Sequence, residues 1–287
     1  WSAAVALDGV SQQGNRFTWA ETDYETLVDS PMFAGANMRR WNLGQNITLN
    51  TVADDPALLD LKPENLARLN ALSNEAVLAL GTPAFDRYEF LVALSNKLGD
   101  IGLEHLRSSE NSLEPKNFTD WKELDWDRNV LAHELVHSWN GKFRRPARLW
   151  TRDYRQPMQD NLLWVYEGQT QFWGVILAAR SGLQAKETVL GALAMQAGKY
   201  AEQAGREWRS VEDTTHDPIF ADRKPKPYAS LARDEDYYNE GALIWLEADQ
   251  LIRAETSGQR GLDDFAQRFF GARPGDGRVK TYEFAEV

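Results

Sequence analysis

Cysteine is absent from this chain of 287 residues, and histidine is rare, with four copies. Without thiols there is no disulfide, no cysteine nucleophile and no thiolate to hold a metal. Any bound metal ion must therefore be held by His, Asp and Glu side chains. Because there are no disulfides to indicate the redox compartment, the sequence is compatible with both a periplasmic and a cytoplasmic location.

Long apolar runs and an excess of positive charge are also missing. No stretch approaches the roughly 18 apolar residues that a membrane-spanning helix needs. The 43 Asp and Glu residues outnumber the 32 Lys and Arg residues, and the resulting net charge of −11 argues against nucleic acid as a partner. A content of 43% hydrophobic and 26% charged residues is typical of an ordinary soluble globular protein. Because the chain starts at Trp1 rather than Met, we expect it to be a piece of a longer polypeptide.

The spacing of apolar residues predicts an α+β fold that is mostly helical, with a small sheet near the N-terminus. Short apolar runs in residues 1–45 and alternation in 46–52 and 88–94 predict strands. Leucines at helical spacing predict a helix over 63–80. The remaining predicted elements are helices over 161–181, 184–208, 237–256 and 262–270, with a polar loop over 209–236. For the helix over 184–208 we expect an inward face made of Leu190, Leu193, Ala197, Ala201, Ala204 and Trp208.

The most informative motif lies between Asp127 and Asn140, where nothing breaks a helix that Asp127 could cap and Gly141 could end. His133 and His137 are one turn apart on this predicted helix, so both imidazoles can bind one tetrahedral metal ion. Glu134 can then reach a water molecule on the same ion, which makes the motif the H-E-x-x-H signature of zinc hydrolases. The alternative is a capped surface helix that carries the pattern by chance.

A third ligand is needed, because a catalytic zinc usually takes three protein ligands and leaves one position open. Glu167 is the best candidate, since it lies in the next predicted helix among apolar residues, where a carboxylate is costly unless a cation or hydrogen-bond donors meet it. The alternative is that Glu167 faces solvent.

Four further segments carry a resemblance to a known family. The segment around Tyr166-Glu-Gly resembles the third-ligand motif of zinc aminopeptidases with a thermolysin-like catalytic domain. Ile101-Gly-Leu-Glu-His resembles a segment of the glycyl aminopeptidase family. The stretch from His137 to Lys142 with Arg145-Pro146, and Tyr237-Tyr-Asn-Glu-Gly, are similar to other motifs of that family. The resemblance runs from about residue 23 to the end of the chain. Ile101 and Glu240 depart from it, because the family usually has Gly and Lys there.

For the domain organisation, the resemblance implies that residues 1–45 are the end of an N-terminal β-rich domain and residues 46–287 form the thermolysin-like catalytic domain. The family's downstream PDZ-type module is not visible in this sequence.

For the site, the resemblance implies one zinc ion per chain on His133, His137 and Glu167, with Glu134 as the general base that acts on a zinc-activated water. Tyr238 would donate a hydrogen bond to the oxyanion, with Tyr237 as its rival. Glu104 would bind the free α-ammonium group of a peptide, unless it is a plain surface residue, and Gly102 would bind the substrate backbone. Thr170 and Gln171 are candidates for supporting the ligands.

The implied activity is an aminopeptidase that acts on peptides with a free N-terminus and removes small residues such as Gly or Ala. Two alternatives stay open at this point. The domain could be a non-catalytic peptide-binding protein with a degenerate peptidase fold, or it could be a zinc endopeptidase or epoxide hydrolase.

Overall fold

A computed structural model describes residues 1–153, 155–218, 227–273, 276 and 278–287 of the chain. The α-helices in these ranges are α1 (Tyr24–Val28), α2 (Pro63–Leu80), α3 (Asn129–Val136), α4 (Leu163–Arg180), α5 (Lys186–Ala201), α6 (Ala229–Ala232), α7 (Asp236–Glu255) and α8 (Leu262–Phe270). The strands are β1 (Ser2–Val5), β2 (Ser11–Gln13), β3 (Arg16–Thr18), β4 (Met32–Gly35), β5 (Met38–Asn42), β6 (Ile47–Ala53), β7 (Tyr88–Leu94), β8 (Gly102–Glu104), β9 (Ser108–Leu113), β10 (Arg144–Pro146) and β11 (Lys280–Tyr282). The predicted α+β class with mostly helical content is confirmed.

The main sheet has five strands in the order β5-β6-β7-β9-β8. Strands β6, β7 and β9 run parallel, and the two outer strands are antiparallel to their neighbours. Strand β7 occupies the centre because nearly all of its residues are apolar and buried, as expected for a strand covered on both faces. Strand β8 is an edge strand, paired with β9 through Gly102 opposite Asn111, and it packs beside α3.

Helix α4 lies at the centre of the helical layer, in contact with both α3 and α7. Its sequence is apolar on almost every side, so most of its residues are buried. Two glycines permit this close packing. A Cβ at Gly174 would lie 3.1 Å from the His133 Cβ, and a Cβ at Gly168 would lie 2.8 Å from the Gly241 Cα on α7.

The motif helix is shorter than predicted. The sequence predicts a helix from Asp127 to Asn140, whereas α3 spans Asn129–Val136 and its N-cap position is Arg128. The Asp127 side chain accepts a hydrogen bond from Asn117 instead of capping the helix. After α3 the chain tightens into turns, and Gly141 adopts a positive φ of 143° in the loop that follows.

The prediction for 184–208 is wrong in both its length and its buried face. Helix α5 ends at Ala201, Leu190 and Trp208 are 54% and 66% exposed, and Val189 and Tyr200 are the buried residues. The face is set by polar contacts with α7, because the Tyr200 hydroxyl donates to Asp236. Apolar periodicity could not reveal such contacts.

The predicted loop over 209–236 and the segment after α3 both contain short regular elements. The predicted loop over 209–236 contains a 3-10 helix at Glu212–His216 and the short helix α6, while its residues 219–226 lie outside the described ranges. Arg144 and Arg145 form strand β10, which pairs in parallel with β11. The Arg144 guanidinium lies 4.3 Å from the centroid of the Phe269 ring, so this segment packs against α8.

The predicted domain division near residue 45 stays a prediction. Strands β5 and β6, on either side of it, are hydrogen bonded to each other. Within the described ranges, no helix combines the length and the apolar character needed to cross a bilayer.

Candidate metal centre and active site

Three side chains from α3, its C-terminal turn and α4 meet in the interior. The Nε2 atoms of His133 and His137 are 3.0 Å apart, and each lies 3.2 Å from the Glu167 Oε2 atom. All three residues are buried. The alternative that Glu167 faces solvent is therefore wrong.

Each imidazole is oriented by a hydrogen bond at its other nitrogen. The Nδ1 atom of His137 donates to the backbone carbonyl of Asn140 at 2.9 Å, and the Nδ1 atom of His133 lies 2.9 Å from the Gln171 Oε1 atom. A carbonyl oxygen can only accept, so the proton of neutral His137 sits on Nδ1 and its Nε2 lone pair points at Glu167. Three electron-rich atoms thus converge on one point.

The electrostatics of this group favour a positive charge beside Glu167. Burial opposes ionisation of Glu167, yet the neighbouring His137 and His133 lower its pKa to about 2. Burial likewise opposes a charge on His137, but Glu167 and Glu104 raise the pKa of that imidazole to about 10. The buried carboxylate and the His137 imidazole therefore stabilise each other's charged forms.

The spacing of the three atoms fits a metal ion. Bonds of about 2.0–2.1 Å to a tetrahedral zinc ion separate the ligand atoms by roughly 3.3 Å. The observed separations of 3.0 and 3.2 Å are close to this value. Two imidazoles and one carboxylate are the ligand set of catalytic zinc sites that keep a fourth position open. The residues present therefore fit a divalent metal with one free coordination position.

Glu134 lies beside this group and is 4% exposed. Burial raises its pKa well above the ordinary value, as do the charges of Glu104 and Glu167. Its carboxylate is in close contact with strand β8, because a Cβ at Gly102 would lie only 2.5 Å from the Glu134 Oε1 atom. A carboxyl group whose pKa is raised by burial is suited to accepting and returning a proton near neutral pH.

Glu104 lies two residues after Gly102 on strand β8, and its carboxyl group lies beside Glu134 and His137. One ligand oxygen each of Glu104 and Glu134 and a ring nitrogen of His137 lie within 4.8 Å of one another. The Tyr166 hydroxyl donates a hydrogen bond to the Glu104 Oε1 atom. Glu104 is half-buried in this arrangement, so the alternative of a plain surface carboxylate is wrong.

Tyr238 lies next to His133, on the first turn of α7. Its half-buried ring is 6.0 Å from the His133 ring, measured between centroids, whereas the neighbouring Tyr237 is 1% exposed. The half-buried ring near a ligand favours Tyr238 over Tyr237 as a residue that can meet a substrate. Tyr238 is held there because α7 crosses α4 where Gly241 meets Gly168.

The two residues predicted to support the ligands, Gln171 and Thr170, both contact the histidines. Gln171 contacts His133, and the Thr170 hydroxyl lies 3.5 Å from the His137 Nδ1 atom.

Glu240 replaces the family's usual Lys, and its carboxylate forms ion pairs with Arg206 at 2.7 Å and with the buried Arg233. Its charge is therefore balanced by two arginines.

Two residues of the site were missed at the level of sequence. Tyr166 contacts both Glu104 and the His137 ring. Asn140 orients His137 with its carbonyl, and its side-chain amide donates to the backbone carbonyls of α4. The available signal for Tyr166 was a hydroxyl in a helix predicted to be buried, because a buried hydroxyl needs a partner.

The comparison with protein families agrees with this geometry. Residues 126–244 match the family model described as M61 glycyl aminopeptidase. The predicted resemblance is therefore confirmed for the segment that contains His133, His137, Glu167 and Tyr238. Strand β8 with Gly102 and Glu104 lies outside the M61 match.

Solved structures support the same fold. An aminopeptidase N family protein from Idiomarina loihiensis superposes with a TM-score of 0.76 at 20% identity, over 93% of this chain and 46% of that one. Native leukotriene A4 hydrolase from Saccharomyces cerevisiae gives a TM-score of 0.54 at 13% identity, over 99% of this chain and 40% of that one. The predicted thermolysin-like peptidase fold is confirmed, and the chain spans less than half of each of these structures. No curated protein matches the sequence.

Proposed function

We propose that this chain carries the active site of a zinc-dependent aminopeptidase that hydrolyses the bond after a small N-terminal residue such as Gly or Ala. The observation that carries the proposal is the convergence of His133, His137 and Glu167 at the spacing of zinc ligands. The preference for small residues is supported by the match to the M61 glycyl aminopeptidase model.

Zinc, when bound, would polarise a carbonyl group and lower the pKa of a water molecule. His133, His137 and Glu167 would hold the ion and leave one coordination position for that water molecule. Glu134 lies on the side of strand β8, where its buried carboxylate can accept a proton from the attacking water. The same carboxyl group can then return the proton to the leaving amine.

Tyr238 and Glu104 would act on two different parts of the substrate. The Tyr238 hydroxyl can donate a hydrogen bond to the oxygen of the scissile carbonyl as negative charge develops on it. The Glu104 carboxyl group on the edge strand can pair with the α-ammonium group of the peptide. Gly102 leaves the backbone of that edge strand open to an added peptide strand. This division of roles would restrict cleavage to the first peptide bond.

Zinc content and turnover, measured on the same samples, test the proposal. We expect about one zinc ion per chain and hydrolysis of glycine and alanine anilides. Glu134→Gln should keep the zinc and lose on the order of 100-fold or more in turnover, because the general base is removed while the ligands remain. Asp100→Asn, an exposed residue near strand β8, is the control and should change neither quantity.

The outcomes separate the proposal from its rivals. Zinc without turnover of any peptide would favour a peptide-binding protein. Equal turnover of substrates with free and acetylated N-termini would point to an endopeptidase and would contradict the role given to Glu104.

A further inference from the structure

We propose that Tyr166 is a positioning residue that fixes the Glu104 carboxylate for recognition of the substrate's α-ammonium group. This inference rests on the proposed aminopeptidase function. It adds to that function a residue that neither touches the scissile bond nor binds the metal.

The Tyr166 side chain is held rigidly. It is 4% exposed, and its ring packs on the His137 ring with a centroid distance of 4.8 Å. The backbone carbonyl of Tyr166 accepts hydrogen bonds from the Asn140 amide at 3.0 Å and from the Thr170 hydroxyl at 2.6 Å. The phenol oxygen therefore occupies a fixed position relative to the histidine ligands.

The loop after α3 also packs against the Tyr166 ring. A Cβ at Gly141 would lie 2.7 Å from both the Cζ atom and the hydroxyl oxygen of Tyr166. The loop itself is fixed, because the Gly141 carbonyl accepts a hydrogen bond from the Arg145 Nε atom at 2.7 Å. Glycine at this position is thus required both by its positive φ and by the space that Tyr166 occupies.

Glu104, by contrast, lies on a short edge strand and is only half-buried. Its side chain has several rotamers that would carry the carboxylate away from the site. The hydrogen bond from Tyr166 to the Oε1 atom selects the rotamer that places the carboxylate beside Glu134 and His137. The second oxygen of Glu104 is then presented to an ammonium group without further loss of side-chain freedom on binding.

The test uses Tyr166→Phe, which keeps the ring against His137 and removes only the hydroxyl. Binding of glycinamide, a free amine without a scissile peptide bond, is measured by calorimetry on zinc-loaded and on metal-free protein. We expect wild type to bind glycinamide, Tyr166→Phe to bind it about tenfold more weakly, and Glu104→Gln to show no measurable binding. N-acetylglycinamide should bind all three proteins equally weakly.

Three further readouts identify a positioning effect. For Tyr166→Phe the KM for alanine anilide should rise about tenfold with a smaller change in kcat, while zinc content and Tm stay near the wild-type values. Tyr200→Phe is the matched control, because this buried hydroxyl donates to Asp236 rather than to Glu104. Gly141→Ala should weaken glycinamide binding as Tyr166→Phe does, since the new methyl group displaces the phenol.

The possible failures are distinguishable. If Glu104→Gln loses glycinamide binding but Tyr166→Phe binds it as wild type does, the inference about Tyr166 is wrong and the proposed function stands. If Tyr166→Phe loses zinc, Tyr166 acts through His137 and the inference is likewise overturned. If Glu104→Gln binds glycinamide as wild type does, the amine role of Glu104 fails and the proposed exopeptidase function fails with it.

Discussion

Gly102 shows how a missing side chain shapes the site at the scale of a single residue. The edge strand passes so close to α3 that a Cβ at position 102 would lie 2.5 Å from the Glu134 carboxylate and 3.1 Å from the Val130 Cγ2 atom. The nearer atom is the end of a flexible side chain, so the protein can accommodate a methyl group by moving Glu134. Stability and proton transfer should therefore respond differently to the same substitution.

We predict that Gly102→Ala lowers kcat/KM for alanine anilide on the order of 100-fold, because displacing Glu134, the proposed general base, by about 1 Å is costly. The same variant should keep its zinc and lose less than about 1 kcal/mol of unfolding free energy. Leu103→Ala, on the same strand with an exposed side chain, serves as the control. Wild-type turnover of Gly102→Ala would show that Glu134 does not need its observed position.

A second residue-scale feature lies next to Glu104, where Asp29 links three segments of the chain. The Asp29 carboxylate contacts the His105 ring at 3.2 Å and the Lys142 ammonium at 2.7 Å, and it accepts a hydrogen bond from the Leu106 amide. Burial opposes ionisation of Asp29, yet these contacts lower its pKa from 3.8 to about 2. Because the folded-state pKa is the lower one, Asp29 stabilises the fold above a pH of about 4, and this contribution is lost as the pH falls toward 2.

We expect Asp29→Asn to lower the free energy of unfolding by about 2 kcal/mol at neutral pH, from a shift of nearly two pKa units. Stability of the variant should also fall less steeply between pH values of about 4 and 2. Urea unfolding at several pH values measures both effects. Asp60→Asn, at an exposed position, is the control. A parallel acid dependence in wild type and Asp29→Asn would contradict the assigned role.

At the scale of elements, the crossing of α4 and α7 is the contact that sets the active-site geometry. Glu167 on α4 and Tyr238 on α7 are each close in sequence to the glycine at which the helices meet, Gly168 and Gly241 respectively. Added methyl groups would meet backbone atoms here, with 2.8 Å between a Cβ at Gly168 and either the Gly241 Cα or the Tyr237 carbonyl oxygen. Backbone atoms cannot move aside individually, so the whole helix must shift.

We predict that Gly168→Ala destabilises the protein by about 1–3 kcal/mol, the usual cost of overpacking. It should also lower turnover more than zinc affinity, because α7 with Tyr238 is displaced while His133 and His137 are held by α3 and its C-terminal turn. Gly198→Ala on α5 is the matched control, since a Cβ there meets nothing within 4 Å. Thermal unfolding and turnover of the two variants give the comparison. Equal Tm values would exclude a tight crossing.

Sequence reasoning predicted which side chains converge better than it predicted how the elements pack. His133, Glu134, His137 and Glu167 could be predicted because ligand chemistry restricts residue type and spacing. Strand β7 could be predicted because apolar residues occupy every second position, from Tyr88 to Leu94. The parallel pairing of β6, β7 and β9 and the edge position of β8 depend on contacts between distant segments, which local patterns do not record.

The wrong predictions also arise from contacts between segments that are distant in the sequence. The motif helix ends four residues earlier than predicted, because the turn after Val136 is shaped by Asn140 and by the close approach of Gly141 to Tyr166. The buried face of α5 was mispredicted because polar contacts to α7, rather than leucines, decide it. Tyr166 was not assigned a role because its partner Glu104 is 62 positions away in the sequence.

At the scale of the whole molecule, the fold brings an edge strand and three helical segments to one point. Strand β8 supplies Gly102 and Glu104, α3 and its C-terminal turn supply two histidines and Glu134, α4 supplies Glu167, and α7 supplies Tyr238. None of these elements alone holds a complete metal site. The central claim is therefore that a zinc ion lies between His133, His137 and Glu167.

Anomalous diffraction from crystals of the active protein, recorded on both sides of the zinc absorption edge, tests this claim directly. We predict one peak that appears only above the edge, about 2.0–2.2 Å from the Nε2 atoms of His133 and His137 and from a Glu167 oxygen. A protein that turns over alanine anilide while showing no such peak between these three side chains would contradict the account.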